Sequence, residues 1–171
     1  RKDIVQMIRD PKIRSTISTG IFDMSFKAMV PIYKESKFLG TIEVISKFNS
    51  VSMQLLKNGF ELVLLVDKSY KDQIQKPFTK MFLDDYYIAN INASKSNQQY
   101  IKNFGIEKLI SDENSYIADQ KNNRFITKYI QKDVNGNNMG YFILFYPLDK
   151  IDLNHIHFFH NAILIFISLI I

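Results

Sequence analysis

The densest run of recognition-type side chains in this chain is Lys80-Met81-Phe82-Leu83-Asp84-Asp85-Tyr86-Tyr87-Ile88-Ala89-Asn90. Small-molecule pockets combine aromatic walls with a few aimed polar groups, and a tyrosine brings both a ring and a hydroxyl. A carboxylate at Asp84 or Asp85 suits a ligand carrying an amine; Lys80 suits one carrying an acid. Tyr116, Arg124 and Tyr129 are candidates to face the same cavity from neighbouring strands. The candidate ligand-binding set is therefore Lys80, Asp84, Asp85, Tyr86, Tyr87, Asn90, Tyr116, Arg124 and Tyr129. The competing reading is an ordinary helix-to-strand junction with surface tyrosines.

Catalysis finds little support in the residue pattern. Adjacent residues of a strand point to opposite faces, so Asp84 and Asp85 are badly placed for joint acid–base work. No Ser-His-Asp constellation, P-loop or Gly-rich dinucleotide fingerprint is present, so neither an enzyme nor a cofactor is expected in these residues. The only histidines are His155, His157 and His160. Zinc needs three or four converging ligands, and on a helix only 157 and 160 are neighbours. Polar aromatics at a water–lipid boundary are the better account, and no metal is expected. With no cysteine, neither disulfides nor a thiolate metal site can form. The formal charge of +5 is spread as Lys among Asp and Glu without a block of one sign, which argues for a solvated surface and against nucleic-acid binding.

The elements that must position these residues show a strand–turn–strand–helix unit. Phe26, Ala28, Val30 and Ile32 alternate with Lys27, Met29, Pro31 and Tyr33, the period of a strand. A turn follows at Glu35-Ser36-Lys37, then a second strand from Phe38 to Ile45. Asn49 or Ser50 can cap a helix with Val51, Leu55 and Leu56 on its apolar side and Gly59 closing it. The unit returns as a strand at Phe125–Ile130, an Asn-Gly turn at Val134–Asn137, a return strand at Met139–Phe145 and a helix from near Asp149. Phe26 matches Phe125, and Gly40 matches Gly140, which suggests two consecutive domains of one type. Chance likeness of amphipathic hairpins is the alternative.

Between the copies, Glu61–Asp67 reads as a central strand, Lys68–Gln75 as a short helix or turn and Tyr86–Asn90 as a strand. Ser94–Phe104 reads as a helix stopped by Gly105, and Tyr116–Ala118 as a further short strand. The expected class is α+β, an antiparallel sheet with flanking helices. The chain ends on an apolar run. A spanning helix needs roughly 20 mostly apolar residues, and Phe158 to Ile171 supplies 14, so the run reads as a truncated transmembrane helix. A buried core helix is the competing reading. Leu148, Ile151, His155, Phe158, Ala162, Ile165 and Leu169 recur at three- and four-residue steps, as at a two-helix seam, which makes a homodimer plausible.

The string Phe26-Lys27-Ala28-Met29-Val30-Pro31-Ile32, then Lys37 to Val44, resembles the closing hairpin of Cache domains. These are PAS-like sensors found outside the membrane in bacterial chemoreceptors, histidine kinases and diguanylate cyclases. Phe60–Asp67 and Met139–Phe145, followed by a membrane helix, resemble the membrane-proximal module of a double Cache. The resemblance implies three regions. Residues 1–58 would be the C-terminal part of a membrane-distal module, 59–148 a membrane-proximal module, and 149–171 an exit helix running into the membrane. It also implies a location at the bacterial inner membrane, facing the periplasm. The expected function is extracytoplasmic small-ligand sensing that passes a signal to a cytoplasmic output domain. The partners would be the ligand and, through the C-terminal helix, the membrane. A ligand-free structural, dimerisation or binding-protein docking module is the alternative. The distal module departs from the family pattern in lacking its first half, including the long N-terminal helix.

Overall fold

The computed structural model describes residues 2–114, 116–133 and 135–151. The alternating segments form a meander of β1 (Arg14–Thr19), β2 (Met24–Lys34) and β3 (Lys37–Lys47), an antiparallel three-stranded sheet in that order. The β2–β3 turn places Glu35 and Ser36 at positive φ, as a tight two-residue hairpin turn requires. A short helix, α1 (Lys2–Arg9), precedes the sheet and buries Met7. Neither α1 nor β1 is evident from the sequence pattern.

The alternation on β2 does not place its apolar set inside. Ala28 pairs with Val44, Val30 with Ile42 and Ile32 with Gly40, so these residues share one face. That face is bare: Val30, Ile32, Ile42 and Val44 are 38–60% exposed. The residues buried on β2 are Met24 and, on the opposite face, Ser25, Lys27 and Met29.

After β3 comes α2 (Asn49–Lys57). Its N-cap is Phe48, without a side-chain cap, because the Asn49 carboxamide instead accepts from the amide of Ile91 at 2.8 Å. The helix buries Ser52, and Phe48 is fully buried beside it; of the expected apolar side, Leu55 packs against the core while Val51 and Leu56 are exposed. Gly59, at φ 83, reverses the chain into β4 (Glu61–Val66).

The second sheet runs β5-β6-β4-β9-β8-β7, all antiparallel pairs. It contains β5 (Phe82–Leu83), β6 (Tyr86–Ile88), β7 (Tyr116–Asp119), β8 (Arg124–Lys132) and β9 (Asn138–Pro147). The central pair is β4 with β9, from Glu61↔Phe145 to Val66↔Gly140. Because β4 reads Leu62-Val63-Leu64-Leu65-Val66, both of its faces are apolar, and both are covered. Val63 and Leu65 meet α3 (Lys95–Phe104) and α4 (Ile106–Ser111) through Ile101, Ile106 and Leu109. Leu62, Leu64 and Val66 meet Met24 and Phe48 from the first half of the chain. Gly140 is required at this joint: a Cβ there would lie 2.7 Å from Leu65 O and 3.1 Å from the Met24 Cε. At Gly40 the matching Cβ would meet nothing within 4 Å.

The fold is α+β, built of two antiparallel sheets and few helices. After β9 only a short 3-10 turn, Leu148–Lys150, is described where a helix was expected. No helix among the described residues is long and apolar enough to cross a membrane. The expected spanning stretch, the three histidines and the seam positions beyond Ile151 lie outside the described residues.

Candidate functional site

The sequence-predicted residues divide between the two faces of the six-stranded sheet. Tyr86 lies on the α3–α4 face, with its hydroxyl donating to Glu107 at 3.0 Å. Tyr87 follows it and therefore points to the other face, beside Met24 and Phe48, where its hydroxyl accepts from the Thr79 amide at 3.1 Å. Tyr116 pairs with Thr127 and Tyr129 with Phe142, which puts both on the Tyr87 side. They remain exposed on that sheet surface, Tyr116 stacked on Phe125 and Tyr129 edge-on to Phe142. Arg124 belongs to the Tyr86 side, bonded to Asn97 and Ser96 with its guanidinium 5.0 Å from the Tyr100 ring. No single cavity gathers these side chains.

Asp84 and Asp85 form the tight β5–β6 turn rather than part of a strand, Asp84 at φ 51. Asp85 pairs with Lys71 at 2.5 Å, which lowers its carboxyl pKa and raises that of Lys71. Lys80 is exposed and also at positive φ. Asn90 is fully buried and has a backbone role. Its Oδ1 accepts from Leu64 N, and its Nδ2 donates to Leu62 O, both at 2.8 Å. Strand β6 pairs with β4 only at Leu65 and Val66, so the carboxamide takes the place of a strand along the rest of that edge.

The polar groups that do converge lie at the end of β4, and the sequence pattern did not single them out. Asp67 accepts from the Tyr141 hydroxyl at 2.8 Å and caps the turn Lys68–Gln73 through Ser69 N and Oγ. Lys68 pairs with Glu107 at 2.6 Å, and Tyr70 donates to Asp133 at 3.1 Å. Asp67, Ser69, Tyr70, Gln73, Asn137 and Asn138 line an open groove of about 540 Å³. A pattern that could have marked it is an Asp-Lys-Ser step immediately after an all-apolar strand, a cap position by residue type.

The electrostatics there are those of satisfied pairs. Burial, then hydrogen bonds to Glu107, Asp133, Asp119 and Asp67 respectively, push up the hydroxyls of Tyr86, Tyr70, Tyr100 and Tyr141, the last three to about 12. Desolvation works against the Asp133 carboxylate, but the amides of Asn137 and Asn135 outweigh it and hold the group at about 2. Lys68, then Tyr86, lower Glu107. Each of these shifts moves its group away from neutral pH, whereas acid–base chemistry calls for pKa values near it. Among the described residues no three His, Asp or Glu side chains converge as metal ligands.

The interior of the α3–α4 face is filled. Val63, Leu65, Ile88, Ile101, Leu109, Ile126 and Ile143 are all essentially inaccessible. The crevice beside Leu109, Tyr116, Ile126 and Lys128 has about 10 Å³, room for at most one water. No protein-family model matches the chain, and no curated protein matches it in sequence.

Proposed function

We propose that this chain is part of an extracytoplasmic small-ligand sensor of a bacterial transmembrane signalling protein, PAS-like in the manner of Cache domains. In this reading the six-stranded unit relays the signal and does not bind the ligand. One contrast carries the reading. The central strand β4 of the six-stranded sheet is covered on both faces, whereas the three-stranded sheet leaves Ala28, Val30, Ile32, Ile42 and Val44 open on one face.

The two meanders support the same view. In β7–β8–β9 the last strand pairs onward with β4, and Gly140 admits the close approach. In β1–β2–β3 the last strand has no further strand partner among the described residues, and Gly40 stands in open space. An exposed apolar face beside such an edge is a surface that proteins ordinarily cover. Recognition would then belong to the unit completed on β3, and its movements would reach the membrane through β4 and β9.

The filled core also favours a second reading, in which the chain is a ligand-free structural, dimerising or docking module. Substitution in the intact membrane protein separates the two. Under the sensing reading Ile42→Lys with Val44→Lys abolishes the ligand response, while Asp85→Asn with Tyr129→Ala leaves it in place. Loss of response on the second pair alone would contradict the relay assignment.

A further inference from the structure

The two sheets meet at a joint that contains a poorly satisfied carboxylate. The β1–β2 loop, Gly20–Asp23, reaches across to the segment before β5. Its Ile21 carbonyl accepts from Lys76 N at 2.8 Å, and its Phe22 carbonyl accepts from Phe78 N at 3.0 Å. Gln73 donates to the Thr19 carbonyl at 2.5 Å, and the Lys47 ammonium sits 2.9 Å from the centre of the Phe78 ring. Asp23 is 5% exposed at the foot of this loop. One carboxylate oxygen accepts from Met24 N at 2.8 Å; the other is buried and without a partner among the described residues, as is the Thr19 hydroxyl.

Few groups can compensate its charge. Lys47, at the end of β3, acts on the carboxylate through space, and the Tyr87 hydroxyl faces it from β6. That hydroxyl also serves as acceptor for Thr79 N. Burial outweighs these influences and pushes the carboxyl up to about 6.

We propose that Asp23 is a proton-operated latch between the two sheets: the Gly20–Asp23 loop stays seated on Lys76–Phe78 while the carboxyl is neutral, and ionisation unseats it. A carboxylate carries two oxygens that demand several donors; here Met24 N serves one at 2.8 Å, while the Tyr87 hydroxyl acts on the group from β6 without making a hydrogen bond to the second oxygen. Water reaches the second oxygen when the loop lifts, and two backbone hydrogen bonds are the main polar attachments that must break. The latch stands independently of the signalling reading. Under that reading, it makes transmission between the two units depend on pH.

The test is amide hydrogen exchange on the full chain in detergent micelles from pH 5 to 7.5, corrected for the intrinsic pH dependence. Peptides covering Lys76–Phe78 should lose protection on the order of tenfold or more as the pH rises, while those covering α3 keep theirs. Asp23→Asn should remove the pH dependence. Lys47→Met, which takes away a charge favouring the carboxylate, should move the loss to higher pH. Constant protection in the wild type, or an unchanged loss in Asp23→Asn, overturns the latch. Should Asp23→Asn fail to fold, an unmoved midpoint in Lys47→Met overturns it equally.

Discussion

Asn90 separates a structural from a ligand-binding role most cleanly. Its side chain is fully buried and bonded to Leu64 N and Leu62 O, both 2.8 Å away, on the stretch of β4 that β6 does not reach. Asn90→Ala leaves one buried amide and one buried carbonyl without these partners. Each orphaned group costs roughly 1–3 kcal/mol, so the variant should lose about 3 kcal/mol, allowing for some relaxation. For a chain of this length that is a fall of about 6–12 °C in melting temperature. Asn90→Asp keeps the acceptor for Leu64 N but sets a carboxylate against the Leu62 carbonyl, so it should cost at least as much. Urea unfolding followed by circular dichroism gives the free energy directly. If Asn90→Ala stayed within about 0.5 kcal/mol of the wild type, the carboxamide would not be holding β4, and a role facing a ligand would regain ground.

Other substitutions test other parts of the account. Gly140→Ala drives a Cβ to within 2.7 Å of Leu65 O and should cost about 1–3 kcal/mol in the same assay. Gly40→Ala meets nothing and should stay within about 0.5 kcal/mol of the wild type. Asp23 has a folded pKa of about 6 against an ordinary 3.8, so its contribution is complete below pH 4 and is lost as the pH rises through 6. At most about 3 kcal/mol should disappear over that window, and Asp23→Asn should flatten the profile of unfolding free energy against pH. The hydroxyls of Tyr70, Tyr100 and Tyr141 should stay protonated to about pH 12. Replacing all three by Phe should therefore leave the absorbance at 295 nm at pH 11 nearly unchanged, and a clear drop would show that they ionise earlier.

Much of the framework is legible in the residues because local rules govern it. The period of two marks both closing hairpins, the positive-φ glycines mark chain reversals, and Ser94 caps α3 through its hydroxyl as its type suggests. What fails is the step from strand to face. The rule that separates Asp84 from Asp85 applies equally to Tyr86 and Tyr87, which sit in β6 and point to opposite cores. An apolar alternation shows that a strand has one greasy face; it does not show what covers that face. On β2 the covered side carries Ser25, Lys27 and Met29, and the apolar side beyond the buried Met24 is open at Ala28, Val30 and Ile32. The joint at Asp23 is built from residues distant in sequence and has no local signature; around Asp67 only the cap on Ser69 is local, and Tyr141, Asp133 and Glu107 come from elsewhere in the chain. Arg124 shows the same limit, because its partners Asn97 and Ser96 belong to a helix that precedes it by more than one element.

The relay assignment of the six-stranded unit is tested most directly by a thermal-shift screen of the chain against amines, carboxylates, purines and pyrimidines. A bound ligand at a hundred times its dissociation constant adds roughly 2.7 kcal/mol, a shift of several degrees. The account predicts no compound whose effect depends on Tyr86 or Arg124. A reproducible shift that disappears in Tyr86→Phe or Arg124→Gln would place a ligand inside the six-stranded unit and contradict it.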